Sequence, residues 1–65
     1  MPTYVKTDYV PVHSKGYITV GREYLVISEG MFGGVVIDDE GDEMNIFYDD
    51  SSHLDNRAWI VINRP

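Results

Sequence analysis

The sequence predicts a small all-β barrel, and three features carry that prediction. Gly21, Tyr24 and Val26 form a G-x-x-Y-x-V pattern, an acidic hairpin turn spans Asp38–Glu43, and an A-W-I-V-I run, residues 58–62, lies near the end. Six glycines punctuate short apolar runs, and helical periodicity is almost absent. Sixty-five residues make one domain, residues 1–65, with 43% apolar and 12% aromatic content, enough for a compact core.

Taken in order, Tyr4-Val5-Lys6 reads as the first strand. Asp8 to Lys15, with Pro11 and Ser14, reads as a long loop or irregular edge. Gly16 to Val20 leads into a bend at Gly21-Arg22, and Glu23 to Ser28 has the strongest β-propensity in the chain. Glu29 to Gly33 reads as a loop tip and Gly34 to Asp38 as the next strand. Glu40-Gly41 supplies the turn chemistry, because glycine adopts positive φ freely. Asp42 to Tyr48 returns as the partner strand, Asp49 to Leu54 forms a short helical turn capped by Asp50 or Ser51, and Ala58 to Ile62 is the last strand. Alternation places Tyr24 and Val26 on one face and Leu25 and Ile27 on the other. With a tight turn, Val35 and Ile37 fall in phase with Met44 and Ile46, and Trp59 and Val61 oppose Ile60 and Ile62.

Five basic and eleven acidic residues give a net charge of −6. The distribution is uneven: residues 1–28 carry three basic and two acidic groups, net +1, and residues 29–65 carry two basic and nine acidic groups, net −7. Such a chain is repelled by nucleic-acid phosphates and anionic lipid, so neither is an expected partner. The acidic excess serves solubility or forms a surface that meets a basic partner protein. No run approaches the roughly 18 apolar residues of a membrane span. Met1-Pro2-Thr3-Tyr4 lacks the basic and apolar regions of a signal peptide, and cysteine is absent. The expected location is the cytoplasm.

Lys6, the stretch Thr19-Val20-Gly21-Arg22-Glu23-Tyr24-x-Val26-Ile27 and Ile37-Asp38-Asp39-Glu40-Gly41 resemble a group of small SH3-like barrel proteins common in phages and their bacterial hosts. Members read as V-K, a loop, T-V-G-K-x-Y-x-V, a diverse loop, I-x-D-D-x-G, a short 3₁₀ turn and a final strand. The resemblance implies a five-stranded SH3-like barrel with a 3₁₀ turn, Ser52–Leu54, before the last strand. It implies that Gly21 permits a bend, that Tyr24 and Val26 fill the barrel, and that Asp39-Glu40-Gly41 forms the distal hairpin turn. It brings no catalytic residue. The chain departs from the pattern by its acidity, by Trp59 and by the Asn56-Arg57 step.

Few residues offer chemistry. Asp38, Glu40 and Asp42 have an i, i+2, i+4 spacing that opens a calcium loop, but the glycine precedes Asp42 and no distal Glu follows, which favours a solvated turn over a metal site. Paired carboxylates for acid–base work need a cleft that a barrel of this size has little room for. His13 and His53 have no metal-ligand spacing, and no serine sits in a nucleophile motif. No cofactor is expected.

The sequence therefore suggests a small, acidic, non-enzymatic interaction module, a phage-encoded regulator or inhibitor acting on a host protein in the host cytoplasm. Its candidate contact residues are the carboxylates Asp38, Asp39, Glu40, Asp42, Glu43, Asp49 and Asp50 and the loop aromatics Tyr9, Tyr17, Phe32 and Tyr48. A sharper version is nucleic-acid mimicry, with Asp55 joining those carboxylates as phosphate surrogates. The alternative is a structural or accessory protein that self-associates through edge strands in a larger assembly.

Overall fold

A computed structural model describes residues 2–64. Five antiparallel strands form one sheet: β1 (Thr3–Lys6), β2 (Tyr24–Glu29), β3 (Gly33–Ile37), β4 (Glu43–Phe47) and β5 (Ile60–Asn63). Their spatial order is β4-β3-β2-β1-β5. The helical content among the described residues is two short 3₁₀ turns, Val12–Ser14 in the long β1–β2 connection and Ser52–Leu54 before β5. None of the helical segments is long and apolar enough to cross a membrane.

β2 is the central strand and divides its length between two neighbours. Its first residues pair with β1, Tyr4 opposite Leu25 and Val5 opposite Tyr24, while its later residues pair with β3. The register shifts between Val26 and Ser28, and a bulge at such a point bends the strand and raises its twist. The sheet does not close: among the described residues the edge strands β4 and β5 share no ladder. Two backbone hydrogen bonds, Trp59 N–H to the Tyr48 carbonyl (2.7 Å) and Ser51 N–H to the Arg57 carbonyl (3.0 Å), join the segment after β4 to the segment before β5.

The core gathers inside the bend. Val5, Ile18, Tyr24, Val26, Val36, Met44, Ile46, Leu54 and Trp59 are buried together, with Tyr24 and Trp59 edge to face at 6.3 Å between ring centroids. The expected alternation in β2 holds: Tyr24 and Val26 are buried, while Leu25 and Ile27 face out. In the β3–β4 hairpin the expected phase is off by one residue. Val36, not Val35 or Ile37, faces the core with Met44, and Val35 and Ile37 lie opposite Asn45 and Glu43. The cause is the turn. A two-residue turn at Glu40-Gly41 sets Ile37 against Met44, but the loop runs from Asp38 to Asp42, with Asp38 N–H bonded to the Asp42 carbonyl (2.9 Å). Gly41 does supply the positive φ, +83°. The last strand starts at Ile60 and not at Ala58: Trp59 lies just before it and is buried, while Ile60 and Val61 are both exposed on an edge strand paired to β1 alone.

The second 3₁₀ turn falls where expected, but its cap differs. Ser51 occupies the N-cap position without a side-chain cap bond, and its hydroxyl is buried with no partner. Its backbone does the work instead, its carbonyl accepting from Leu54 N–H (3.0 Å) and Asn56 N–H (2.7 Å).

At Gly33 the chain passes so close to β4 that a Cβ there would lie 2.8 Å from the Phe47 Cα. Gly33→Ala should lower stability by about 2–3 kcal/mol through that overlap. Gly16→Ala, with nothing within 4 Å of the added methyl, should leave stability within about 0.5 kcal/mol. Urea unfolding of the two variants checks this difference.

Candidate functional site

The acidic turn divides into carboxylates that hold the fold and carboxylates that face water. Asp38 belongs to the first group: its Oδ1 accepts the N–H groups of Glu40 (2.9 Å) and Asp42 (3.0 Å), which sets the five-residue loop. Asp39 is tied down further. It accepts the Thr19 hydroxyl (2.6 Å), the Tyr24 hydroxyl (2.8 Å) and an Arg22 guanidinium N–H (2.7 Å), and its side chain is only 18% exposed. Thr19 N–H in turn donates to the Tyr24 oxygen (2.7 Å), and Asp39 N–H donates to the Tyr17 carbonyl (3.0 Å). Burial pushes the Asp39 carboxyl up, but the bonds from Thr19 and Tyr24 and the Arg22 charge outweigh it and hold the group below its ordinary pKa. Burial raises the Tyr24 hydroxyl, so Tyr24 stays a donor to Asp39.

Glu40, Asp42 and Glu43 project into solvent. Oxygens of Asp38, Glu40 and Asp42 lie within 4.8 Å of one another. Three carboxylates on an open turn, one already accepting two backbone donors, fall short of the six to eight oxygens that calcium takes. Asp49 and Asp50 are exposed just past the other end of β4. β4 itself is five extended residues, about 17 Å, so two acidic clusters bracket this edge strand.

The arginines do not neutralise those clusters. Arg22 is bonded to Asp39, Arg64 to Glu23, and Arg57 stacks 4.1 Å over the Tyr9 ring. Among the described residues Glu29, Glu40, Asp42, Glu43, Asp49 and Asp50 make no ion pair within 4 Å. The paired carboxylates respond: the hydrogen bond from Arg64 lowers Glu23, and those from His13 and Tyr9 lower Asp55.

A polar cluster joins the two 3₁₀ turns, and sequence reasoning missed it because the bonds between its two halves span 36 to 46 residues. His13 Nε2 meets Asp55 Oδ1 at 3.0 Å and Tyr9 OH donates to Asp55 Oδ2 at 2.9 Å. An ionised carboxylate only accepts, so His13 Nε2 carries the proton. The Ser14 hydroxyl donates to the His53 carbonyl (2.6 Å), and Tyr17 OH lies 3.1 Å from His53 Nδ1. His53 Nε2 faces the Asn45 carbonyl (3.1 Å), so it is the donor there and covers part of the β4 edge. Serine, histidine and aspartate thus meet, but Ser14 is fully buried and its one proton goes to a carbonyl, which leaves no accessible nucleophile.

Of the four loop aromatics, Phe32 is 72% exposed. Tyr9 is half-buried beneath Arg57, Tyr17 is half-buried within the polar cluster, and Tyr48 packs on the core with its hydroxyl unpartnered. Phe47, not among the candidates, is 64% exposed and lies across from Gly33 on the outer face of β4. The signal for it was present: Met44 and Ile46 face inward, so period-2 alternation sends Phe47 outward. Phe32 and Phe47 border an open groove of about 510 Å³ on the β3–β4 face.

No family model, no curated protein and no solved structure matches the chain.

Asp39, Asp55 and Glu23 all sit below their ordinary values in the folded protein. Their contribution is present above the unfolded carboxyl pKa, near 4, and is lost as pH falls through the lower folded values. Thermal unfolding should show a falling midpoint from about pH 5 downward. Asp39→Asn should melt lower at pH 7 by about 10 °C, from a loss of about 2 kcal/mol, and its deficit should shrink as the acid limb is descended.

Proposed function

We propose that the chain is a non-enzymatic interaction module that engages a protein with a basic surface, using the solvent-facing carboxylates around β4. The observation that carries this is the division of charge: the arginines are engaged with Asp39, Tyr9 and Glu23, while Glu40, Asp42, Glu43, Asp49 and Asp50 stay exposed. Free carboxylates flanking one strand give a local field that steers a cationic partner and fixes its orientation. The fold we propose for the module is SH3-like, supported by the order β4-β3-β2-β1-β5 and the 3₁₀ turn before β5. Fold likeness does not by itself assign a function, which is why the charge distribution carries the reading.

Two rival readings are weaker. Mimicry of nucleic acid needs a continuous row of free carboxylates, and Asp38, Asp39 and Asp55 are bonded internally. Self-association through strand edges meets a β4 edge partly covered by His53 and a chain with net charge −6.

The test replaces Glu40, Asp42, Asp49 and Asp50 with lysine and compares capture of partners from a bacterial lysate at low and moderate salt. The reading expects a saturable partner for the parent chain, bound at least tenfold more weakly by the variant and more weakly at higher salt. No saturable partner, or equal capture by the variant, contradicts it.

A further inference from the structure

The groove beside β4 gives the proposed surface an anchoring point. We propose that it receives one bulky apolar side chain of a partner protein, flanked in that partner by lysine or arginine; this rests on the acidic-surface reading and names the site and chemistry of the contact.

The groove's floor is backbone. Gly33 leaves it without a side chain and cannot acquire one without collision, since a Cβ there would lie 2.8 Å from the Phe47 Cα; Gly34 beside it has its Cβ direction turned toward the core, 2.8 Å from Val26 Cγ1, and offers the groove only backbone. Bare backbone between strands lets a ligand approach closely. The walls are apolar, from Phe32, Val35 and Phe47, and Phe32 and Phe47 are 72% and 64% exposed. A chain of 65 residues that leaves two phenylalanines in water around one depression exposes an apolar surface of the kind that marks binding sites.

The rim decides what enters. Glu29 lines the groove, and Asp49 and Asp50 follow Phe47 by two and three residues, exposed and without ion pairs among the described residues. The cations lie on other elements: Lys6 on β1, Lys15 after the first 3₁₀ turn, Arg22 on Asp39, Arg57 on Tyr9 and Arg64 on Glu23. A second copy of the chain would bring the same negative rim against this one, and like charges facing each other are unfavourable. An apolar residue between cationic neighbours satisfies both the walls and the rim.

The experiment follows ¹⁵N-labelled protein by NMR while three pentapeptides are titrated in. One has phenylalanine at its centre and two lysines on each side, one has serine at that centre, and one keeps the phenylalanine with glutamate flanks. The proposal expects the first peptide to shift the amides of Gly33, Gly34, Val35 and Phe47. The other two should bind those amides at least tenfold more weakly, and Phe32→Ser, at an exposed loop position, should weaken the first peptide about tenfold. Equal shifts from the phenylalanine and serine peptides, confined to residues 40–43 and 49–50, overturn the groove while leaving the acidic surface standing. No shifts with either lysine peptide overturn both. Equal binding of the glutamate-flanked peptide removes the rim's role. Concentration-dependent shifts of the groove amides without peptide, abolished by Phe32→Ser, would give the groove to a second copy and overturn the proposal.

Discussion

The carboxylate of Asp39 ties the β3–β4 turn to the chain that enters β2. It lies in the turn between β3 and β4, yet its bonds reach Thr19, Arg22 and Tyr24, 15 to 20 residues earlier. Through it the end of the long β1–β2 connection is fastened to the hairpin turn at one end of the molecule. A small domain buries little of its unfolded surface, and this one has no disulfide to assist. A charged acceptor that takes three hydrogen bonds in a largely enclosed site is a substitute for such a cross-link, because each bond to a charged group contributes more than a neutral one.

That contact also explains the charge pattern outside. Once Asp39 is drawn inward and Asp38 is turned toward the backbone, the loop lengthens to five residues and carries Glu40, Asp42 and Glu43 on its solvent side. The hairpin register follows from the same loop, so Val36 and Met44 enter the core and Phe47 is left on the outer face. One constraint thus sets the acidic cluster, the hydrophobic phase of β3 and the aromatic wall of the groove.

Much of this was legible in the sequence. The strands are short apolar runs between glycines and polar turns, and the alternation of Tyr24 and Val26 against Leu25 and Ile27 assigns the buried face of β2. The hairpin phase was not legible, since a two-residue and a five-residue loop are both compatible with Asp38–Asp42, and only the side-chain bonds of Asp38 and Asp39 select between them. The same long-range bonds separate the structural carboxylates from the free ones; composition counts both alike. The His13, Ser14, Tyr17, His53 and Asp55 cluster is similarly invisible along the chain, because it exists only when the two 3₁₀ turns meet.

The most direct measurement of the Asp39 contact is a double-mutant cycle. Tyr24→Phe removes the hydroxyl and keeps the ring, Asp39→Asn removes the charge, and urea unfolding at pH 7 gives the stability of each single variant and of the pair. The account predicts a coupling of about 1 kcal/mol or more between the two positions, the double variant losing less than the sum of the singles. Additive losses within about 0.3 kcal/mol would mean that Asp39 does not hold Tyr24, and would contradict the claim that this carboxylate organises the fold.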